Sequence, residues 1–169
     1  HWTAVQEDLG GRIACILKGG RTEAGVESTV LDCTASPPTV LRPGAVSVEQ
    51  LRDAVGVVDV ADASETDAAR SPGTKHRHYA PAASVRLVQS PAAAEPGSDA
   101  AYIGLEAPTQ PEAFRQCRVA DDVAAYARDL FHFFRACDRA DCSLIYAQVV
   151  AGEGLGRALN DRLQRAAAR

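Results

Sequence analysis

Residues 143–169 read SLIYAQVVAGEGLGRALNDRLQRAAAR, and their pattern sets the architectural class. Ser143 to Val150 is an almost unbroken apolar run, the signature of a strand buried on both faces. The glycines of Gly152-Glu153-Gly154-Leu155-Gly156 interrupt it. Leu155, Leu159 and Leu163 then recur at helical spacing over 155–168. Strand, glycine turn and helix form the closing part of a β–α unit, and such units assemble parallel sheets.

The preceding residues repeat the theme. Val123, Tyr126, Leu130, Phe133, Phe134 and Cys137 mark one face of a helix over 122–138, with Asp121 or Asp122 as its cap. Val85–Val88, Tyr102–Leu105 and Cys117–Val119 are short strands, and 89–99 is a loop of small residues. These elements predict a small Rossmann-like parallel-sheet domain over 83–169. Upstream, residues 28–34 and 39–42 flank the turn Ala35-Ser36-Pro37-Pro38 and predict a β-hairpin. Ser47 and Gln50 form a capping box at the head of a helix that Gly56 ends. The opening residues predict a short helix stopped by Gly10-Gly11, then a strand over Ile13–Leu17. Between these regions, 59–84 is poor in large apolar residues and reads as a linker. The expected division is therefore 1–57, a linker over 58–82, and 83–169.

Composition limits the functional classes. The chain has 169 residues, 46% hydrophobic and 24% charged, which suits one or two small globular domains. A net charge of -4 argues against a general nucleic-acid or anionic-membrane binder. No apolar stretch reaches the ~18 residues of a membrane span. The opening HWTAVQEDLGG lacks the positive region and apolar core of a signal peptide. Five cysteines without a C-x-x-C pair read as reduced, mostly buried thiols of a cytoplasmic protein. The chain contains no methionine, so it is expected to be a processed form or a fragment.

Three segments hold candidate chemistry. In GVESTVLD (25–32), Glu27 and Ser28 lie where a loop enters a strand. Across the hairpin, Arg42 of LRPG lies near Ser28 or Thr29, which makes either an anion clamp or a surface salt bridge. SPGTKHRHYAP (71–81) is the densest cationic stretch, with Lys75, His76, Arg77 and His78 consecutive and Tyr79 next. By spacing it serves equally as a lid over a polyanion or as a solvated basic hinge. The glycine turn at 152–156 suits an anion at a helix N-terminus, but tight-turn geometry explains it better. His132 faces away from its helix's apolar stripe. The chain has no nucleophile triad and no paired-carboxylate site.

Taken in order, GGRIACILKGG, GVESTVLDCT, PPTVLRPGAVSVEQL, SPGTKHRHYAP and EGLGRALNDRLQRAA resemble the L-threonylcarbamoyladenylate synthases of the Sua/YrdC/YciO type. The resemblance implies that 1–57 is the tail of a YrdC-like α/β catalytic domain, followed by an active-site linker and a Rossmann-like domain. It implies condensation of L-threonine, bicarbonate and ATP, with Mg²⁺, to threonylcarbamoyl-AMP and pyrophosphate. The product would pass to a tRNA-modifying transferase complex, with no direct nucleic-acid or membrane binding by this chain. Ser28 would contact threonine. Arg42, Lys75, Arg77, His78 and Tyr79 would contact ATP. The family's upstream substrate-binding segments have no counterpart here, so the chain alone is expected to be inactive and to leave one sheet edge exposed. The competing expectation is a non-catalytic nucleotide- or anion-binding regulatory module.

Overall fold

The computed structural model describes residues 2–20, 22–61 and 80–168. Helix α1 (Trp2–Leu9) opens the chain, and Gly11, at φ +77°, follows its end. The strand expected over Ile13–Leu17 does not form. Ile13 is 41% and Leu17 88% exposed, and no described strand pairs with this segment. The hairpin does form. Strand β1 (Val30–Asp32) runs antiparallel to β2 (Thr39–Arg42), with Val30 opposite Arg42 and Asp32 opposite Thr39.

Helix α2 (Val48–Val55) starts at the expected capping box. The Gln50 backbone N–H donates to the Ser47 hydroxyl at 3.2 Å, and the Ser47 N–H donates to Gln50 Oε1 at 2.8 Å. Gly56, at φ +86°, ends it. Strand β3 (Asp59–Val60) then pairs parallel to β2 and completes a three-stranded sheet in which β1 and β3 are the edges. Val40, Val48 and Val58 are the buried centre of this region.

The second sheet contains β4 (Ser84–Val88), β5 (Gly97–Gly104), β6 (Phe114–Val119) and β7 (Leu144–Gln148). Its order is β4-β7-β5-β6 and every pair is parallel. Strand β5 begins at Gly97, inside the stretch expected to be a loop. Helices α3 (Val123–Arg139) and α4 (Leu155–Ala167) cover one face. Alternation along β5 and β7 sends Ala101, Ile103, Ile145 and Ala147 to that face, where they meet Tyr126, Leu130, Leu159 and Leu163. Tyr102 and Tyr146 point the other way and pack with Phe114. Asp122 caps α3, accepting from the Ala125 N–H at 2.6 Å.

Two buried polar groups tie the strand ends together. The Tyr126 hydroxyl lies 3.1 Å from both the Ile103 and the Gln148 carbonyl oxygens, bridging β5 and β7. Gln148 Oε1 accepts from the Leu105 and Glu106 N–H groups and from the Tyr102 hydroxyl, while its amide donates to Glu106 at 2.8 Å. Buried polar groups are tolerated when they are fully paired in this way.

The cysteine expectation needs correction. Cys137 and Cys142 are buried, but Cys15 and Cys33 are exposed and Cys117 is half-buried. Cys15 and Cys33 lie outside the packed clusters, so nothing shields them. No described helix is long and apolar enough to cross a membrane.

Leu130 is wholly buried between α3 and the sheet. Leu130→Ala is expected to lower the unfolding free energy by about 3 kcal/mol. Leu17→Ala, at an exposed position, should change it by less than ~0.5 kcal/mol. Urea unfolding followed by circular dichroism checks both.

Candidate functional site

The hairpin brings two of the sequence-identified residues together. Ser28 lies just before β1, and Arg42 ends β2. The Arg42 guanidinium donates from Nη2 to the Ser28 carbonyl oxygen at 3.0 Å. The clamp therefore differs from the expected guanidinium beside two hydroxyls. Thr29 is withdrawn from it: its hydroxyl donates to the Val46 carbonyl at 2.5 Å and accepts from the Val46 N–H at 3.1 Å. Ser28 is the exposed hydroxyl of the pair. Lys75, Arg77, His78 and Tyr79 lie outside the described residues.

Glycine sets the spacing of the two motifs. Gly44 is buried, and a Cβ there would stand 2.3 Å from both the Ser28 carbonyl carbon and the Thr29 nitrogen. The glycine of LRPG thus lets one loop lie flat on the other. The Ala45 N–H donates to the Glu27 carbonyl at 3.1 Å and closes the contact. Ser28 and Arg42 are carried on this double-layered backbone.

Helix α4 supplies a residue that the sequence reading did not single out. Arg162 is 6% exposed. Its Nε donates to Glu27 Oε2 at 2.6 Å, and its Nη2 donates to the Pro43 carbonyl at 3.1 Å. Its Nη1 bonds to Asp161, whose carboxylate also accepts from Arg165 Nε at 2.9 Å. A signal was present in the sequence. Arg162 lies three residues after Leu159 and four before Ala166, on the helix face that carries the leucines. An arginine on an apolar face needs acceptors nearby. The Glu27 carboxyl titrates below its ordinary value. Burial alone would raise it, but the Arg162 hydrogen bond and charge, with a further contribution from the Arg42 charge, outweigh burial.

The glycine turn before α4 has a structural explanation. Gly154 has φ +52°, and a Cβ on Gly156 would stand 2.1 Å from the Ala151 carbonyl oxygen. The Gly154 N–H already has an anionic partner, Glu49 Oε2 of α2, at 3.3 Å. His132 is exposed on α3. A separate cleft of about 760 Å³ lies between α1, residues 22–25, β6 and α3. Ser28 and Arg42 do not line it. Arg118 within it pairs with Asp129 at 2.7 Å, and Arg135 pairs with Glu7 at 3.2 Å and with Asp8. No group of three or more metal-ligating side chains occurs among the described residues.

The chain is similar to known proteins over nearly all of its length. The family model described as "Threonylcarbamoyl-AMP synthase, C-terminal domain" matches residues 46–168. The model described as "Telomere recombination" matches residues 1–44. A threonylcarbamoyl-AMP synthase of Pyrococcus abyssi is 37% identical, over 96% of this chain and 52% of its own length. One from Bacillus subtilis is 32% identical, over 96% and 51%. The crystal structure of P. abyssi Sua5 complexed with L-threonine has a TM-score of 0.83 at 33% identity and covers 98% of this chain and 53% of that one. A double variant of the same protein, with a consecutive His and Tyr changed to Ala, has a TM-score of 0.81 at the same identity, over 96% and 51%. The chain spans about half the length of the curated relatives it matches.

Two outcomes are expected. Gly44→Ala should lower unfolding free energy by about 2 kcal/mol, because the atoms in its way are backbone and cannot turn aside. Glu27 should also give a pH signature. Its folded-state value is lowered, so its stabilising contribution is complete above the ordinary 4.5 and disappears as pH falls through the folded value. The stability difference between wild type and Glu27→Gln, followed by urea unfolding across pH, should be constant at neutral pH and shrink on acidification below 4.5.

Proposed function

Because this chain belongs to the threonylcarbamoyl-AMP synthase family, we propose that its protein condenses L-threonine, bicarbonate and ATP to threonylcarbamoyl-AMP and pyrophosphate. The observation that carries this reading is the joining of GVESTV and LRPG through the Arg42–Ser28 hydrogen bond and the close approach at Gly44. The residue that offers a hydroxyl to an amino acid and the residue that offers a guanidinium to a phosphate are thereby joined. The P. abyssi neighbour was crystallised with L-threonine, which supports the substrate class.

The chemistry asks for positioning rather than a protein nucleophile. Carbon dioxide released from bicarbonate reacts with the threonine amine, which loses a proton to give a carbamate. A carbamate oxygen attacks the α-phosphorus of ATP, the bond from that phosphorus to the bridging oxygen breaks, and pyrophosphate leaves. Ser28 holds the threonine. Arg42 offsets negative charge on the phosphates, and such fixed cations act most strongly on charge that grows in the transition state. Lys75, Arg77, His78 and Tyr79 join the nucleotide side as a lid. His78-Tyr79 is the chain's single His-Tyr dipeptide, and such a dipeptide is the one altered in the second solved neighbour. Mg²⁺ would accompany the ATP substrate on its phosphates. The product is an activated threonylcarbamoyl group for a tRNA-modifying transferase, and the place of action is the cytoplasm.

A pyrophosphate-release assay tests the reading. The product of the full open reading frame should release pyrophosphate from ATP only when both L-threonine and bicarbonate are present. The 169-residue chain assayed alone should not. Silence from a folded full-length product would overturn the synthase reading.

A further inference from the structure

Arg162 has no part in the reaction just described, yet it is placed as if the site required it. It is the one buried charged side chain among the described residues. Its three guanidinium nitrogens go to three destinations: Glu27, the Pro43 carbonyl and Asp161. Glu27 immediately precedes Ser28, and Pro43 immediately follows Arg42. The two loops are 135 and 119 residues distant from Arg162 in sequence and meet on one side chain. Asp161, also held by Arg165, fixes the direction of the fork.

We propose that Arg162 is a positioning residue of the synthase site: from α4 it fixes the Ser28 and Arg42 loops in register and neutralises Glu27. The proposal rests on the functional reading above and deepens it by assigning α4 a task in substrate binding. Glu27 is the carboxylate that matters. It feels the positive charges of both Arg162 and Arg42, with Arg162 the stronger. When Arg162 is present, Glu27 is satisfied by a 2.6 Å charge-assisted hydrogen bond. When Arg162 is removed, the half-buried carboxylate keeps its desolvation cost but loses its hydrogen-bond donor and main counter-charge. The turn at Glu27, next to Ser28, then loses its anchor to α4. The Pro43 carbonyl also loses its donor, which loosens the loop that carries Arg42.

This mechanism predicts which kinetic constant moves. In the full-length product, Arg162→Met should lower kcat/KM about 100-fold, the scale of a misplaced binding group. The rise should fall mainly on KM for ATP. Adding Glu27→Gln to Arg162→Met should restore most of that loss, because the stranded carboxylate is gone. A purely structural role would not restore ATP affinity selectively. Arg162→Lys keeps the charge but cannot reach both acceptors with a planar fork. It should melt close to wild type and give an intermediate KM for ATP, and it decides the question if Arg162→Met fails to fold. Wild-type constants for these Arg162 variants, in a background where wild type is active, would overturn the positioning role alone. So would loss of kcat with unchanged KM for ATP and no recovery on adding Glu27→Gln. Silence from the wild-type product would overturn the synthase reading and this proposal with it.

Discussion

A guanidinium at 6% exposure, on a helix whose neighbouring Leu159 and Leu163 are wholly buried, has to find acceptors for all its nitrogens. Arg162 finds them on the hairpin loops, on the far side of the linker in sequence. That requirement joins the two sheets. Glu49 of α2, bonded to the Gly154 N–H and 3.7 Å from Arg157, supplies a second junction at the other end of the first turns of α4. Arg135 of α3, paired with Glu7 and Asp8 of α1, supplies a third. The exposed pairs contribute little individually. The buried one cannot be broken on one side without stranding a charge.

The hairpin and α4 therefore belong to one device. Gly44 permits the two motif loops to touch, Thr29 is consumed in holding Val46, and Ser28 and Arg42 remain at the surface of the contact. The division of labour follows from side-chain chemistry. A threonine whose hydroxyl both donates and accepts locally serves architecture, whereas the exposed serine beside it is free to meet a ligand.

Much of this was legible in the sequence, for identifiable reasons. The apolar runs of β7 and the 3.6-residue stripe of α3 follow from burial on fixed periods. The capping box at Ser47 and Gln50 is a local device, legible from residues three apart. The Ile13–Leu17 run predicts a strand that does not form, because a short apolar run carries no information about its partner. Arg42 near Ser28 followed from hairpin pairing, but which atom it bonds did not, since that depends on rotamer and loop packing. Arg162 escaped because its acceptors lie more than a hundred residues away. Only its place among the α4 leucines hinted at it.

The strand order β4-β7-β5-β6 also bears on how the molecule is made. Strands β4 and β5 follow each other along the chain, yet they do not pair, because β7 lies between them. A ribosome therefore delivers two apolar strands with no central partner and must add some forty further residues before Leu144–Gln148 emerges. Until then the inner edges of β4 and β5 are open to any other extended chain. The nascent domain is thus open to mispairing for that interval, and its sheet closes only once Leu144–Gln148 is available.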